Sequence, residues 1–306
     1  MNMRILVTGG LGAIGTPLVR ELRARGREVW VCDLLHSEGP NYIRCDVGSY
    51  RQVEAMFDMQ AFDVVCHLAA EFGRLNGEDY YDTLWRTNAI GTKNILRMQE
   101  RHRFRMIFTS SSEVYGDWEG VLHEDVPHTH PIRQMNDYAI SKWVNELQVI
   151  NSAERFGTES VRVRLFNTYG PGEYYSPYRS VICQFVYCAL HDLPYTVYLD
   201  HKRTSSYIDD TVNTLANIPD NFRAGEVYNI CGDEYHDIKR LSDMILDYLG
   251  KPNHPVRHVN HEAHNTRNKQ GDNAKAKRDL GHRCTVPLSV GIPRTIEWQK
   301  EVYKRG

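Results

Sequence analysis

Tyr138-Ala139-Ile140-Ser141-Lys142 sets a phenol and an ammonium four residues apart, which on a helix puts them on one face. A phenol with a pKa of about 10 is a poor base at neutral pH, and a neighbouring positive charge lowers that value by favouring the phenolate. Such a pair could take a proton from a substrate hydroxyl. The same spacing also occurs on solvated helix faces, where it does no chemistry. Upstream, Thr109-Ser110-Ser111-Ser112-Glu113-Val114-Tyr115-Gly116 stands at the end of a predicted strand. A serine hydroxyl there could share the proton with Tyr138, and the Glu113 carboxylate could act as acid or base on an adjacent carbon. Serines at a strand end equally well form a turn by bonding local backbone.

A second constellation lies at the start of the chain. Thr8-Gly9-Gly10-Leu11-Gly12-Ala13-Ile14-Gly15 follows an apolar run and opens a helical pattern. Gly9 permits a tight turn, Gly12 lets backbone approach a pyrophosphate, and Gly15 lets helix and strand pack closely. Free N–H groups at the helix start, around Ala13 and Ile14, suit an anion. Asp33 ends a second predicted strand about twenty residues later, where an acid accepts from an adenosine ribose and repels a 2′-phosphate. No arginine follows it in Leu34-Leu35-His36-Ser37, so the expected cofactor is NAD rather than NADP. A plain strand-to-helix turn with an incidental aspartate is the alternative. With a dinucleotide present, hydride could leave the carbon whose hydroxyl yields its proton to Tyr138, and Lys142 could also hold the cofactor ribose.

For these groups to meet, the elements carrying them must converge. Arg4–Thr8, Glu28–Asp33, Tyr42–Asp46, Asp63–Leu68, Arg105–Ser110 and Val161–Phe166 are predicted strands, being short, apolar and rich in Val and Ile. Between them lie helical patterns such as Ala13–Arg25 and Tyr138–Arg155. In the latter, Tyr138, Trp143 and Leu147 alternate with Lys142, Asn145 and Glu146, as in an amphipathic helix. This rhythm predicts an α/β fold, a Rossmann-type doubly wound parallel sheet. After about residue 170 it changes: Gly170-Pro171-Gly172 breaks the chain and an aromatic loop follows. Helices over Ser180–Leu190, Ile238–Leu249 and Pro287–Tyr303 mix with strands over Thr196–Leu199, Ser205–Ile208 and Glu226–Ile230. Residues 1–170 are expected to form the dinucleotide-binding domain, with later segments at about 205–235 interleaved, and 171–306 mainly a smaller mixed α/β substrate lobe.

The 306 residues are 41% hydrophobic and 25% charged, enough apolar material for a core. A formal net charge of −2 gives no bulk attraction to nucleic acid or to an anionic membrane. After Met1-Asn2-Met3-Arg4, the apolar run Ile5 to Val7 is too short for a signal peptide or a membrane span. Seven cysteines occur with no Cys-x-x-Cys pair; Cys32, Cys45 and Cys66 read as buried thiols, and a reducing, cytoplasmic compartment is expected. His254, His258, His261 and His264 lack accompanying acid or cysteine ligands and read as loop histidines, so no metal is expected.

Taken in order, TGGLGAIG from Thr8, Asp33, Cys45-Asp46-Val47, His67-Leu68-Ala69-Ala70, Thr87-Asn88 before Gly91-Thr92, SSSEVYG from Ser110, YAISK from Tyr138 and RLFNTYGPG from Arg164 form one pattern. Over nearly its whole length the chain resembles the extended short-chain dehydrogenase/reductase superfamily, in its NAD-dependent nucleotide-sugar epimerase/dehydratase branch. The resemblance implies Tyr138 as base, Lys142 as its partner and Ser111 as the proton-sharing hydroxyl. It implies Asp46 and Val47 beside the adenine, and Leu68, Ala69, Ala70, Asn88 and Thr109 along the cofactor. Ser112, Glu113, Asn167, Arg179, Arg203 and Arg267 fall to the substrate, a UDP-, dTDP-, GDP- or CDP-linked sugar. The Arg203 guanidinium fork suits a diphosphate, although a salt bridge to Asp209 or Asp210 is the alternative. A homodimer is implied through the helix carrying Tyr138 and the helix ending near Gln99.

Family members open by oxidising the sugar at C4, and the groups around that carbon decide the outcome. A 4-epimerase is the leading expectation. A 4,6-dehydratase or a net C4 dehydrogenase comes next, then a decarboxylase; a non-catalytic NAD- or nucleotide-binding regulator is the reading from another class. Ser111, Tyr138 and Lys142 together speak against the regulator, which needs none of their chemistry. Glu113 permits dehydration without requiring it, since Ser111-Ser112-Glu113 departs from the Thr-Asp-Glu or Thr-Ser-Glu common in dehydratases. Glu71-Phe72-Gly73-Arg74-Leu75-Asn76-Gly77 is unlike the usual short loops of 4-epimerases or decarboxylases and could shape the sugar pocket. Tyr198-Leu199-Asp200-His201-Lys202-Arg203 is two residues shorter than the loop of decarboxylase relatives. In Arg267-x-Lys269-x-x-Asp272 either cation could hold the diphosphate. The loop Glu173 to Arg179 could contact sugar, act as a lid or meet a second subunit.

Overall fold

The computed structural model describes residues 3–304; Met1 and Asn2, the first residues of the N-terminal stretch, lie outside the described residues. Seven strands build the main sheet: β1 (Arg4–Thr8), β2 (Glu28–Asp33), β3 (Tyr42–Arg44), β4 (Val64–His67), β5 (Arg105–Ser111), β6 (Ser160–Leu165) and β7 (Val227–Ile230). They are all parallel, in the order β7-β6-β5-β4-β1-β2-β3. Strand order reverses at β1, which opens a crevice at the carboxyl ends of β1 and β4.

Buried on both faces, these strands read as continuous apolar runs. Ile5 and Val7 point to a core shared with α1 (Gly15–Ala24), while Leu6 points to the opposite one. That second core takes Val53, Met56 and Phe57 from α2 (Tyr50–Met59) and Ile95, Leu96 and Met98 from α3 (Gly91–His102). Strand β3 stops at Arg44 rather than Asp46, which frees Cys45, Asp46 and Val47 to face the crevice.

Helix α4 (Asp137–Phe156) forms where expected, with the Asn136 side chain accepting from Ala139 N at 2.9 Å and left-handed Gly157 ending it. Its burial departs from the simple amphipathic reading, because the polar set goes inward while Tyr138 and Trp143 stay half-buried. Lys142, Asn145 and Glu146 are buried, whereas Ile140 and Leu147 are exposed. Partners from neighbouring strands explain the burial of the polar set. Glu146 accepts from Ser110 Oγ at 2.6 Å, Arg164 Nε at 2.9 Å and an Arg162 guanidinium nitrogen at 3.2 Å. Losing one member of such a buried pair costs about 3–5 kcal/mol.

The C-terminal half adds α5 (Val181–Leu190) and α6 (Ile208–Asn217), helices over Ile238–Leu249 and Leu288–Tyr303, and a small four-stranded sheet. Its order is Tyr235–Asp237, Lys202–Thr204, Asn268–Gly271, Val121–Leu122, so one strand comes from the first half of the chain. Among the described residues no helix is long and apolar enough to cross a membrane.

Candidate active site

A cavity of about 820 Å³ runs from the loop after β1 to the small sheet. At its first end Gly9 turns with φ +67°, and Gly12 N donates to Gly9 O at 3.1 Å. A Cβ on Gly9 would come within 2.8 Å of Ala69 N, and one on Gly15 would collide with the Gly9 carbonyl oxygen. A Cβ on Gly12 would meet only Gly9 O, at 3.2 Å, so the space beside Gly12 opens to the cavity. Ala13, Ile14 and Gly15 line the wall, and α1 begins without a side-chain cap. Asp33 accepts from Leu11 N at 3.0 Å and so clamps the loop to the end of β2. Asp46, Val47, Leu68, Ala69 and Ala70 continue the wall. The donor set, the acid and the side-chain-free groove fit a dinucleotide.

Midway, β5 and the first turn of α4 meet. Ser111 and Tyr138 line the cavity and hydrogen-bond each other. Ser111 also accepts from Glu113 N at 3.2 Å, so the strand-end turn and the site share one hydroxyl. Lys142 Nζ donates to Thr109 O at 2.9 Å and lies 6.0 Å from the Tyr138 ring centre; Thr109 Oγ1 in turn donates to His67 O at 2.9 Å. Burial pushes the Lys142 ammonium down to about 8, against the opposing pull of Glu146. Burial pushes the Tyr138 phenol up to about 12; the Ser111 hydrogen bond pulls it down and the Glu113 charge pushes it further up. The expected lowering of the phenol by Lys142 is therefore not realised in the protein's own field. The ammonium is committed to a backbone carbonyl, and desolvation wins.

At the far end the small sheet sets Arg203 directly beside Lys269. Lys269 is ion-paired with Glu113, and all three line the cavity. Burial would raise the Glu113 carboxyl, but Lys269, Arg203 and Arg74 hold it below the usual range. Lys269 is pushed down to about 8 and Arg203 to about 10, in both cases chiefly by burial. Arg203 donates to Lys202 O, Arg267 O and Asn265 Oδ1, and Asp210 is occupied by Thr285 and Val286, so the alternative pairing of Arg203 with Asp209 or Asp210 is not among its contacts. Arg74 pairs with Glu262 at 2.5 Å across the mouth. Asn167, at φ +34°, and Arg179, stacked 4.0 Å from the Phe72 ring centre, complete this end.

The model of the NAD dependent epimerase/dehydratase family matches residues 5–231. The chain belongs to that family. It is thus an enzyme of an NAD-dependent group with a Rossmann-type sheet. Across 99% of both chains it is 31% identical to a UDP-N-acetyl-alpha-D-glucosaminuronate decarboxylase of Bacillus cytotoxicus. It is 30% identical to a dTDP-glucose 4,6-dehydratase of Streptomyces niveus, over 98% of this chain and 93% of that one. The Thermus thermophilus UDP-glucose 4-epimerase, solved in complex with NAD, superposes with a TM-score of 0.86 at 26% identity, over 97% of this chain and 98% of that one.

Against the family pattern, three expected contacts fall elsewhere. Asn88 is buried off the cavity wall, bonding Glu71 N and O and Ser141 Oγ at 2.9–3.0 Å; it pins the loop after β4, and Thr87 lines the cavity instead. Ser112 is also buried off the wall, because the turn after β5 brings Ser111 and Glu113 to the cavity and directs the residue between them inward. Arg267 is exposed and offers only its carbonyl oxygen. Ahead of Asn268–Gly271 the alternation slips: Thr266 takes the inward place and bonds Gly116 O, so Lys269 is the cation that enters. Sequence reasoning missed Glu262 and His201 on the wall. A lone acid or histidine in an irregular stretch carries no periodic signal.

Proposed function

We propose that the enzyme binds a nucleotide-sugar and deprotonates its C4 hydroxyl at Tyr138, with 4-epimerisation as the net reaction. The observation that carries this reading is the single cavity joining the glycine loop, the Ser111–Tyr138 pair and the Arg203–Lys269 pair. Gly12 to Gly15, Asp33 and Asp46 would hold the adenosine diphosphate half of the cofactor, with Leu68 to Ala70, Thr109 and Lys142 along the rest. NAD, when bound, supplies the hydride acceptor and donor at the sugar carbon. Tyr138 takes the hydroxyl proton, shared through Ser111, and returns it when the alcohol is restored. Arg203, Lys269 and Asn167 suit the diphosphate.

Glu113 supplies at most the base, and not the acid, that dehydration needs. A leaving hydroxyl at C6 needs an acid, and Lys269 keeps this carboxyl ionised. A second reading, decarboxylation of a nucleotide-linked uronate, draws support from the cations Arg74, Arg203 and Lys269 gathered around the Glu113 carboxylate, a field that would also suit a substrate carboxylate, and from the likeness to the Bacillus cytotoxicus relative. Incubation with UDP-, dTDP-, GDP- and CDP-sugars, with products read by mass, separates the readings. Isobaric product supports epimerisation; loss of water, carbon dioxide or two hydrogens assigns dehydration, decarboxylation or net oxidation in its place. No turnover of any sugar, with NAD still bound, would return the regulator. A homodimer through α4 and α3 is proposed on the outward Ile90, Ile140 and Leu147. A single-copy mass by sedimentation at micromolar concentration would remove it.

A further inference from the structure

His201 is buried at 1% exposure, lies on the cavity wall, and neither ring nitrogen has a hydrogen-bond partner. Its ring is held between Tyr198 and His261, with centres 5.6 and 5.7 Å away. The backbone is fixed as well, since Ile238 N donates to His201 O at 3.0 Å and Lys202 N to Arg267 O at 2.8 Å. The nearby acid cannot serve the ring, because Glu262 is committed to Arg74 and Asn265. Burial, with Arg203 beside it, pushes the imidazole down to about 4, so the ring is neutral and carries one donor and one acceptor. Leaving both unpaired in the interior is costly, and a bound group that meets them recovers that cost.

Position along the cavity identifies the group. Tyr138 and Ser111 mark the reacting sugar carbon, then come Glu113 and Lys269, then Arg203 for the diphosphate. His201 precedes Arg203 by two residues, about 7 Å along an extended chain. The charges that act on its ring are Arg203, Glu262, His261 and Lys269, with neither Glu113 nor Lys142 among them, so it lies on the side of Arg203 away from the reacting carbon. Beyond it Thr196 and Tyr198 line the cavity. In a nucleotide-sugar laid along this path, the moiety after the diphosphate is the ribose. A hydroxyl both gives and accepts a hydrogen bond, which matches a neutral imidazole; a phosphate oxygen only accepts.

Resting on the nucleotide-sugar reading, we infer that His201 is a specificity-determining residue that hydrogen-bonds a ribose hydroxyl of the bound nucleotide. The protein then favours nucleoside diphosphates with an intact ribose over analogues that lack one hydroxyl, whatever the base.

The test is calorimetric binding to the NAD-loaded protein of UDP, CDP and GDP, each beside its 2′-deoxy and 3′-deoxy counterparts, and of dTDP. For the wild type, whichever base binds, one deoxy analogue binds about tenfold more weakly. In His201→Leu that ratio falls to about one, while NAD affinity is unchanged. His201→Gln, which keeps a donor and an acceptor, restores part of the preference and covers the case in which the leucine variant fails to fold. Equal affinity for ribose and both deoxy forms in the wild type, or a preference that persists in His201→Leu, overturns the inference and leaves the nucleotide-sugar reading standing. Binding of dTDP alone overturns the inference and leaves the nucleotide-sugar reading standing, and binding of neither dTDP nor any of these nucleotides overturns both.

Discussion

At Tyr138 three influences compete, and their order sets the chemistry. Burial raises the phenol to about 12, the Ser111 hydrogen bond lowers it, and Glu113 raises it again. Replacing Tyr138 by Phe removes the proton acceptor and keeps the ring. Turnover should fall at least ~10²-fold while NAD titration is unaltered; undiminished turnover would remove Tyr138 as the base. Glu113→Gln tests the field around it. A nearby carboxylate disfavours the phenolate, so neutralising it lowers the phenol's pKa, and Lys269, no longer paired, adds in the same direction. The limb of kcat/KM that rises with pH should therefore move to lower pH. A limb that stays put, or moves up, would show that Glu113 does not act on Tyr138 through charge. That Tyr138 and Lys142 share one helix face was legible from their spacing, whereas the choice of Ser111 among the serines came from the family resemblance. The direction of the phenol's shift was not legible, because desolvation depends on everything packed around the ring and on where Lys142 finds its acceptor.

Among elements, the turn between β1 and α1 makes the sharpest separation between holding the fold and admitting a ligand. Gly15→Ala drives a methyl into the Gly9 carbonyl oxygen and the Gly10 backbone, so the helix must back away from the strand. Overpacking of this kind costs about 1–3 kcal/mol, and both melting temperature and NAD affinity should drop. Gly12→Ala meets only Gly9 O at 3.2 Å and faces the cavity. Its melting temperature should stay near wild type while NAD affinity falls about tenfold or more. Equal thermal loss in both variants would mean that the groove beside Gly12 is structural. The central strands were legible because parallel strands buried on both faces are apolar throughout. Helix α4 was legible in extent, but the burial of its polar residues was not. Its inward Glu146 is paired by Arg162 and Arg164 of β6, and partners that distant leave no mark in the helix's own periodicity.

At the scale of the whole molecule, the small sheet is what sequence reading could not assemble. Val121–Leu122 pairs with Asn268–Gly271, and a two-residue strand is too short to show a period, while its partner lies far along the chain. Yet that sheet sets Lys269 beside Arg203 and so completes the cavity's far end. Across the mouth, Arg74, which opens a short helix after β4 (Arg74–Asp79), pairs with Glu262, and Glu262 holds Asn265, which accepts from Arg203. The chain of contacts joins the segment after the fourth strand to the segment ahead of Asn268–Gly271. Arg74→Met keeps most of the side chain's bulk but cuts this link at its partly buried first step. A pair of this exposure contributes about 1 kcal/mol, so KM for the nucleotide-sugar should rise about fivefold. Amide exchange should quicken over residues 72–77 and 261–267 together, because the two segments hold each other. Faster exchange in one segment alone would mean that the pair is local to that segment and does not tie the two together.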